Sequence, residues 1–413
     1  MCVLRSFAYL QQTNRMISIA DALKIITENV SRIETETIEL SEVCGRVLAE
    51  EIRADMDLPP FDRSQMDGYA IRAEDAENAP VKLKIIGESA AGKGWRGNLK
   101  AGEAVRIMTG APVPAGTDAV QKLELASEEN GFVEILEPVK IGQNIVRRAS
   151  EIKANAKVFE AGEIVNAAMI ASLASFGYAK VKVARKPRVS ILATGSELVP
   201  IEQKPAQDQI RNSNSLTLKV YAEKCGAECE ILPIAGDEIE HLKLNIENAV
   251  KASDVLILSG GVSVGKYDFT KTALRELGAQ ILFEKVALRP GKPTVFGRLN
   301  DCLIFGLPGN PVSAIVTFNL FVRAALLKMQ GANDCDLKSG FAVSGGKFKG
   351  AKERDSLLPA RLSTNEKGQL IAENLRWGGS SDFVGFAHSD ALVFVPQNVT
   401  IKAGSIVKIA FLP

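Results

Sequence analysis

From Arg188 to Met329 the chain alternates between two hydrophobic periods. Short, β-branched runs in which nearly every position is apolar read as buried strands, and they are followed by stretches with apolar residues at helical spacing. The strands predicted are Arg188–Thr194, Glu228–Ile234, Val255–Leu258 and Gln280–Val286, then a pair near Thr294–Gly297 and Cys302–Phe305. The helices predicted are Ser215–Cys225, capped by Ser213 or Asn214 and stopped by Gly226; Glu238–Ala252; one from near Asp268 to Gly278; and a long one from Pro311 to about Met329. Strand and helix in strict alternation imply a doubly wound, mainly parallel sheet, whose ligands sit at the carboxyl ends of its strands.

The pattern differs on either side. Met16–Val30 is amphipathic with Ser18 as cap, a short strand covers Glu36–Leu40, and helices are expected over Ser41–Glu50 and across the apolar stretch Ala156–Ala179. Val81–Gly142 and the chain beyond Gly331 read instead as short strands separated by Gly, Pro and Asn turns. The fold class expected is therefore multidomain α/β plus all-β. Its parts are an N-terminal mixed helical domain (16–50 and 143–185), an inserted small β domain (51–142), the α/β domain (186–331) and a C-terminal β domain (332–413). The first fifteen residues read as an upstream extension.

Composition removes several function classes. A net charge of +1 and 6% aromatics, with no interleaving of basic and aromatic residues, point away from nucleic acid. Six scattered cysteines without a Cys-x-x-Cys, and only two histidines, argue against structural zinc and against a disulfide framework, so a reducing cytoplasm is expected. No apolar run reads as a membrane span; the closest, Ala167–Ala179, is rich in small residues and reads as a buried helix.

Candidate chemistry gathers at the ends of the α/β strands. Val255–Leu258 breaks at Ser259-Gly260-Gly261, runs through Ser263 and enters a helix that Asp268 or Thr270 can cap. A glycine turn between strand and helix lets backbone N–H groups approach an oxyanion. It is neither a Walker loop nor a G-x-G-x-x-G fingerprint. Thr194-Gly195-Ser196-Glu197 and Gly236-Asp237 each follow a strand with a carboxylate. Arg289-Pro290-Gly291-Lys292-Pro293 holds two cations, and Gly306-Leu307-Pro308-Gly309-Asn310-Pro311 enters the long helix with Asn310 as cap. Any one of these is explained by turn chemistry alone. Together they imply a phosphorylated or oxyanionic ligand with Mg²⁺ held by carboxylate oxygens beside it. Outside this domain, Leu58–Ala70 crowds Arg63, Ser64, Gln65 and Asp67 between prolines and a strand, Arg106–Gly116 ends a strand at Thr109-Gly110, and Trp377–Ser381 is a glycine-serine turn.

The segments PPFDRSQMDGYA, RIMTGAPVP, ATGSEL, SGGVSVGKYD, RPGKP and GLPGNPVS, in this order, resemble the MoeA family of molybdopterin molybdenumtransferases, which includes gephyrin-type E domains; the resemblance spans about 16–413. It implies insertion of molybdate into adenylylated molybdopterin, dependence on Mg²⁺, release of AMP, and a homodimer whose site lies between the α/β domain of one subunit and the small β domain of the other. By position, it implies catalytic roles for Asp67, Glu197, Asp237 and Asp268, the last three also as metal ligands. It implies substrate contacts from Ser64, Thr109, Gly260, Gly261, Ser263, Arg289, Lys292, Pro308, Pro311, Ser313, Arg354 and Ser380. A molybdopterin adenylyltransferase and apo-molybdoenzymes are the partners it suggests, with no nucleic acid and no membrane.

The chain departs from the family pattern in two places. Where the family has Asn-x-Arg-x-x-Gly-Glu-Asp, it carries Val146, Ala149, Ser150 and Glu151, and an alanine is not expected to take a positive φ. Lys266 stands where an acidic residue is usual. A divergent paralogue that binds or delivers cofactor, and an adenylyltransferase-type enzyme, are the competing readings.

Overall fold

The computed structural model describes residues 15–236, 238–261 and 269–413. Two compact units emerge: 1–50 with 161–170 and 180–413, and 51–160 with 171–179.

The first unit is built on a six-stranded sheet in the order Glu228–Ile231, Arg188–Ala193, Val255–Ser259, Cys302–Leu307, Val295–Leu299, Gln280–Phe283. The first four strands are parallel and the last two pair antiparallel, so the doubly wound reading holds. Successive side chains of a strand face opposite sides. Ile191, Ile257 and Phe305 enter one buried cluster with residues of the helices Ile19–Asn29, Ser213–Lys224 and Pro311–Met329. Leu192, Leu256, Leu258 and Ile304 enter another with Ile239–Ala252 and Phe269–Glu276. Burying both faces is what makes these strands apolar at every position.

The strand Leu288–Arg289 leaves this sheet and pairs in parallel with Asp355–Ser356. It thereby joins a second sheet with Asp355–Thr364, Leu370–Asn374, Ser339–Ser344, Ile406–Phe411 and Ala391–Val395, the last closing back onto Asp355–Thr364 as a small barrel. In the second unit a six-stranded sheet runs Ala119–Lys122, Gly68–Ile71, Glu103–Ile107, Val81–Ser89, Phe132–Ile135, Ala126–Glu129 around Tyr69, Leu83 and Val133.

Several helix expectations fail for identifiable reasons. Ser41–Glu50 forms only a 3-10 turn, Leu40–Glu42, because Gly45 takes a left-handed φ and Val47 and Leu48 bridge to Ile164 and Val183. Within Ala156–Ala179 the residues Lys157–Phe159 pair with Ile52–Arg53 as a strand, and the helix covers only Ala167–Ser175. That segment is not buried throughout: Met169, Leu173 and Phe176 form one buried stripe and most of the rest is exposed. The run that matches a membrane span in length and composition is instead Pro311–Met329, 19 residues, and most of it lies inside the α/β core. Its five-residue π-helical segment Phe318–Val322 leaves the helix unbroken. The cap of the helix Ser213–Lys224 is Asn212, whose side chain accepts from the Ser215 N–H, rather than Ser213 or Asn214. Ser18 caps Ile19–Asn29 as expected, accepting from Asp21.

Ala149 does adopt a left-handed φ of 60°, held by its N–H donating to Pro59 O at 3.1 Å. The flanking Arg147 and Arg148 pair with Asp62 and Asp57 at 2.6 and 2.5 Å, which pins the turn despite the residue type. At the amino end of the central strand, Asp254 lies between Arg185 (2.7 Å) and the Arg188 N–H (2.7 Å). Burial alone would raise its carboxyl, but the Arg185 guanidinium and the Arg188 N–H outweigh burial and hold it below the usual carboxylate range.

Two outcomes follow. Ala149→Gly relieves the left-handed strain and should raise stability by about 0.5–1 kcal/mol, net of glycine's greater unfolded-state entropy; denaturant titration checks this. Because Asp254 is lowered on folding, its contribution is complete above about pH 4 and is lost as pH falls through its folded-state value. Melting temperatures between pH 6 and pH 3 should therefore fall less steeply in Asp254→Asn than in the wild type, from a lower starting point.

Candidate active site

The parallel register sets the geometry. Ala193 pairs with Ser259 and Ser259 with Leu307, while Thr194 bridges Ala235. Three strands therefore end level, and the segments after Ala193, Ser259 and Leu307 leave from one edge of the sheet, with Ala235, beyond the end of Glu228–Ile231, bridged beside them. Backbone bonds continue the alignment past the strands: Thr194 N–H donates to Ser259 O (3.0 Å), Gly195 N–H to Ala235 O (3.3 Å) and Gly260 N–H to Leu307 O (3.2 Å).

Glycine is required at two successive positions of the exit after Ser259. Gly260 and Gly261 have φ of +93° and +63°; a Cβ on Gly260 would meet Thr194 O at 2.6 Å, and one on Gly261 would collide with the Thr270 hydroxyl and meet that of Thr194 at 2.8 Å. Beside them, Glu197 folds its carboxylate back over Gly195, within 2.5 Å of where a Cβ would stand. The side chain of Asn214 ties two exits together, donating to Ser259 Oγ at 3.1 Å and to Gly309 O at 2.8 Å. Asn214 is legible only as a possible helix cap; it is the second residue of the helix, and its amide serves the rim instead.

Asn310 stands at the cap position of the long helix, but its side chain does not cap. It donates to Ser380 Oγ at 3.1 Å, and the Ser380 carbonyl accepts from the Val312 N–H at 3.1 Å. The glycine-serine turn of 377–381 is thus docked on the start of this helix, and Asp382 stiffens it by accepting from the Gly378 and Gly385 N–H groups. Those two N–H donors hold the Asp382 carboxyl below its usual range. Pro308 and Ser313 are buried in the same segment, and Pro311 opens the helix.

Arg289 and Lys292 are exposed, and Arg354 lies beside them, its guanidinium 3.4 Å from Leu288 O. The turn that carries them rests on the flank of the long helix: a Cβ on Gly291 would meet Thr317 at 2.5 Å. Thr317 is six residues past Pro311, roughly 9 Å along the axis. Arg289 and Arg354 are thereby held at the pairing of Leu288–Arg289 with Asp355–Ser356, and Lys292 follows in the turn against the long helix.

Ser64, Asp67 and Thr109 belong to the second unit and form a cluster of their own. Asp67 accepts from the Thr109 N–H (2.6 Å) and hydroxyl (3.0 Å), and these two bonds lower its carboxyl. Ser64 is buried, its hydroxyl donating to Met66 O at 2.6 Å, and Gly110 N–H donates to its carbonyl. Asp237, Ser263, Lys266 and Asp268 lie outside the described residues. Among the described residues no three acidic, histidine or cysteine side chains converge as a metal site, and Glu197 is the described member of the expected carboxylate trio.

An apolar recess of about 740 Å³ adjoins the rim, lined by Gly195, Leu198, Leu216, Ile231, Pro233 and Gly236 among others. Its volume lies in the range of small-molecule sites. Another cleft, about 560 Å³, lies at the amino ends of the strands among Cys44, Arg46, Lys186, Glu223 and Glu228, where charges of both signs offset each other.

Comparison with known proteins gives this geometry its context. Residues 17–177 match the MoeA N-terminal region (domain I and II), 190–328 a probable molybdopterin binding domain, and 342–412 the MoeA C-terminal region (domain IV). Molybdopterin molybdenumtransferases from Staphylococcus epidermidis and Bacillus subtilis are 35% and 36% identical, covering 95% and 92% of this chain and 95% and 90% of their own. That of Haemophilus influenzae is 36% identical over 91% of this chain and 93% of its own. Two solved structures of the molybdopterin biosynthesis moeA protein from Pyrococcus horikoshii superimpose with TM-scores of 0.83 and 0.79, at 30% and 32% identity, covering 96% of this chain and 100% and 99% of theirs. The chain belongs to the MoeA family, whose curated members compared above are named molybdopterin molybdenumtransferases.

Proposed function

We propose that this protein is a molybdopterin molybdenumtransferase that transfers molybdenum from molybdate to adenylylated molybdopterin, with Mg²⁺-dependent release of AMP. The observation that carries this reading is the level set of strand ends with its glycine exits, on a chain that is one-third identical to named molybdenumtransferases over nearly its whole length. Matches at both the N-terminal and C-terminal regions favour it over an adenylyltransferase resembling the α/β domain alone.

In this reading each group of residues has a task. Gly260 and Gly261 admit a phosphate to the backbone at the rim, and Asn214 keeps the 259 and 309 segments at fixed spacing around it. Arg289, Lys292 and Arg354 draw in molybdate, which carries two negative charges, and Ser380, Ser313, Pro308 and Pro311 shape the approach. In the proposed homodimer, Asp67 and Thr109, bonded to each other, are what the small β domain brings to the other subunit's site. Glu197, Asp237 and Asp268 would supply carboxylate oxygens, the hard donors that Mg²⁺ prefers. Bound there, the ion supplies charge neutralisation at the phosphoanhydride. The protein's own part is positioning and electrostatic stabilisation of the departing AMP.

We further propose the four-part division 16–50 with 143–185, 51–142, 186–331 and 332–413, a homodimer, and a cytoplasmic location. A molybdopterin adenylyltransferase would supply the substrate, and apo-molybdoenzymes would receive the product. The glycine that the family places in the 144–151 turn is Ala149 here, and the turn keeps the left-handed geometry a glycine would have.

Turnover with adenylylated molybdopterin, molybdate and Mg²⁺, followed by AMP release and cofactor formation, tests the assignment. Wild type should turn over, Asp268→Asn should lose at least 100-fold, and Glu197→Gln should need more Mg²⁺ for half-maximal rate. Wild-type protein that binds the nucleotide but releases no AMP overturns the enzymatic reading.

A further inference from the structure

Two buried hydroxyls at the rim have no partner among the described residues. Thr194 Oγ1 and Thr270 Oγ1 are both shielded from solvent and make no hydrogen bond among the described residues. Their side chains belong to residues 8% and 1% exposed, so bulk water does not satisfy them. Both come from elements with no slack: Thr194 follows the strand Arg188–Ala193, and Thr270 is in the first turn of the helix Phe269–Glu276. Both converge on the same backbone, since a Cβ on Gly261 would collide with one hydroxyl and meet the other at 2.8 Å. A third contact reinforces the focus: Thr194 Oγ1 lies 3.3 Å from where a Cβ on Gly260 would stand.

An unmade hydrogen bond on a buried hydroxyl is a standing cost to the folded protein, and such groups are uncommon. A threonine used only for packing is replaceable by valine, which has the same shape and no such cost. Two of them facing a left-handed Gly-Gly pair at the carboxyl edge of a parallel sheet make sense where an acceptor arrives from outside. A tetrahedral oxyanion presents several acceptor oxygens to donors that converge on one stretch of backbone. We propose that Thr194 and Thr270 are the hydroxyl donors that hold a tetrahedral oxyanion of the substrate against Gly260 and Gly261. The inference deepens the molybdopterin reading and rests on it. The oxyanion is either a phosphate of the adenylylated substrate or molybdate itself.

The test compares Thr194→Val and Thr270→Val, with Thr194→Ser and Thr270→Ser as rescues, by thermal melting without ligand and by calorimetric titration with AMP plus Mg²⁺ and, separately, with sodium molybdate. The expected result is a melting temperature equal to or above wild type in both valine variants, at least tenfold weaker binding of one titrant, and near-wild-type binding in the serine variants. Weakening confined to AMP assigns the phosphate; weakening confined to molybdate assigns the metal oxyanion. Valine variants that bind both titrants like wild type overturn the proposal and leave the molybdopterin reading standing. So does lost binding that tracks a lowered melting temperature, since the hydroxyls would then be structural. Wild-type protein that binds neither titrant overturns the reading of the site itself.

Discussion

Everything at the rim depends on the register of three parallel strands. Ala193, Ser259 and Leu307 lie side by side, so the segments that follow them start at one height. Slipping one strand by a single residue would turn its side chains to the opposite face and exchange the two buried clusters. The core thus enforces the register, and the register places the site. Ile257 and Phe305 on one face, and Leu258 and Ile304 on the other, do as much for the site as any polar residue near it.

On that platform the polar groups divide into two kinds. Some are spent on holding the rim together: Asn214 links 259 to 309, and Asn310 and the Val312 N–H secure Ser380. Others are left without partners among the described residues, as with the hydroxyls of Thr194 and Thr270. A folded protein tolerates such groups where a ligand completes them. The cations Arg289, Lys292 and Arg354 are fastened differently, through a strand that the α/β segment lends to the C-terminal barrel. Sequence order therefore separates what the barrel and the long helix bring together.

The legible part of this molecule was the part in which local pattern and tertiary demand agree. Strands buried on both faces announce themselves as continuous apolar runs, and the α/β order and the glycine exits followed from that, while the small β sheet followed from its turn residues. The failures came where one residue type serves two purposes. Val47 and Leu48 sit at helical spacing yet bridge as extended chain, and small apolar residues from Ala156 onward split between a strand and a half-exposed helix. Asn214 and Asn310 look like caps, and their amides are committed across space instead. The two-residue strand Leu288–Arg289 is too short to carry a pattern. Ala149 shows the reverse: intrinsic preference argued against a left-handed turn, and the pairs Arg147–Asp62 and Arg148–Asp57 overrode it.

The central claim is that the level strand ends form the oxyanion site. A crystal structure of the protein with AMP, Mg²⁺ and molybdate tests it most directly. The account predicts an oxyanion, phosphate or molybdate, against Gly260 and Gly261, at the edge shared by Ala193, Ser259 and Leu307. Oxyanion bound instead at the amino ends of the strands, in the cleft lined by Cys44, Arg46 and Lys186, would contradict it.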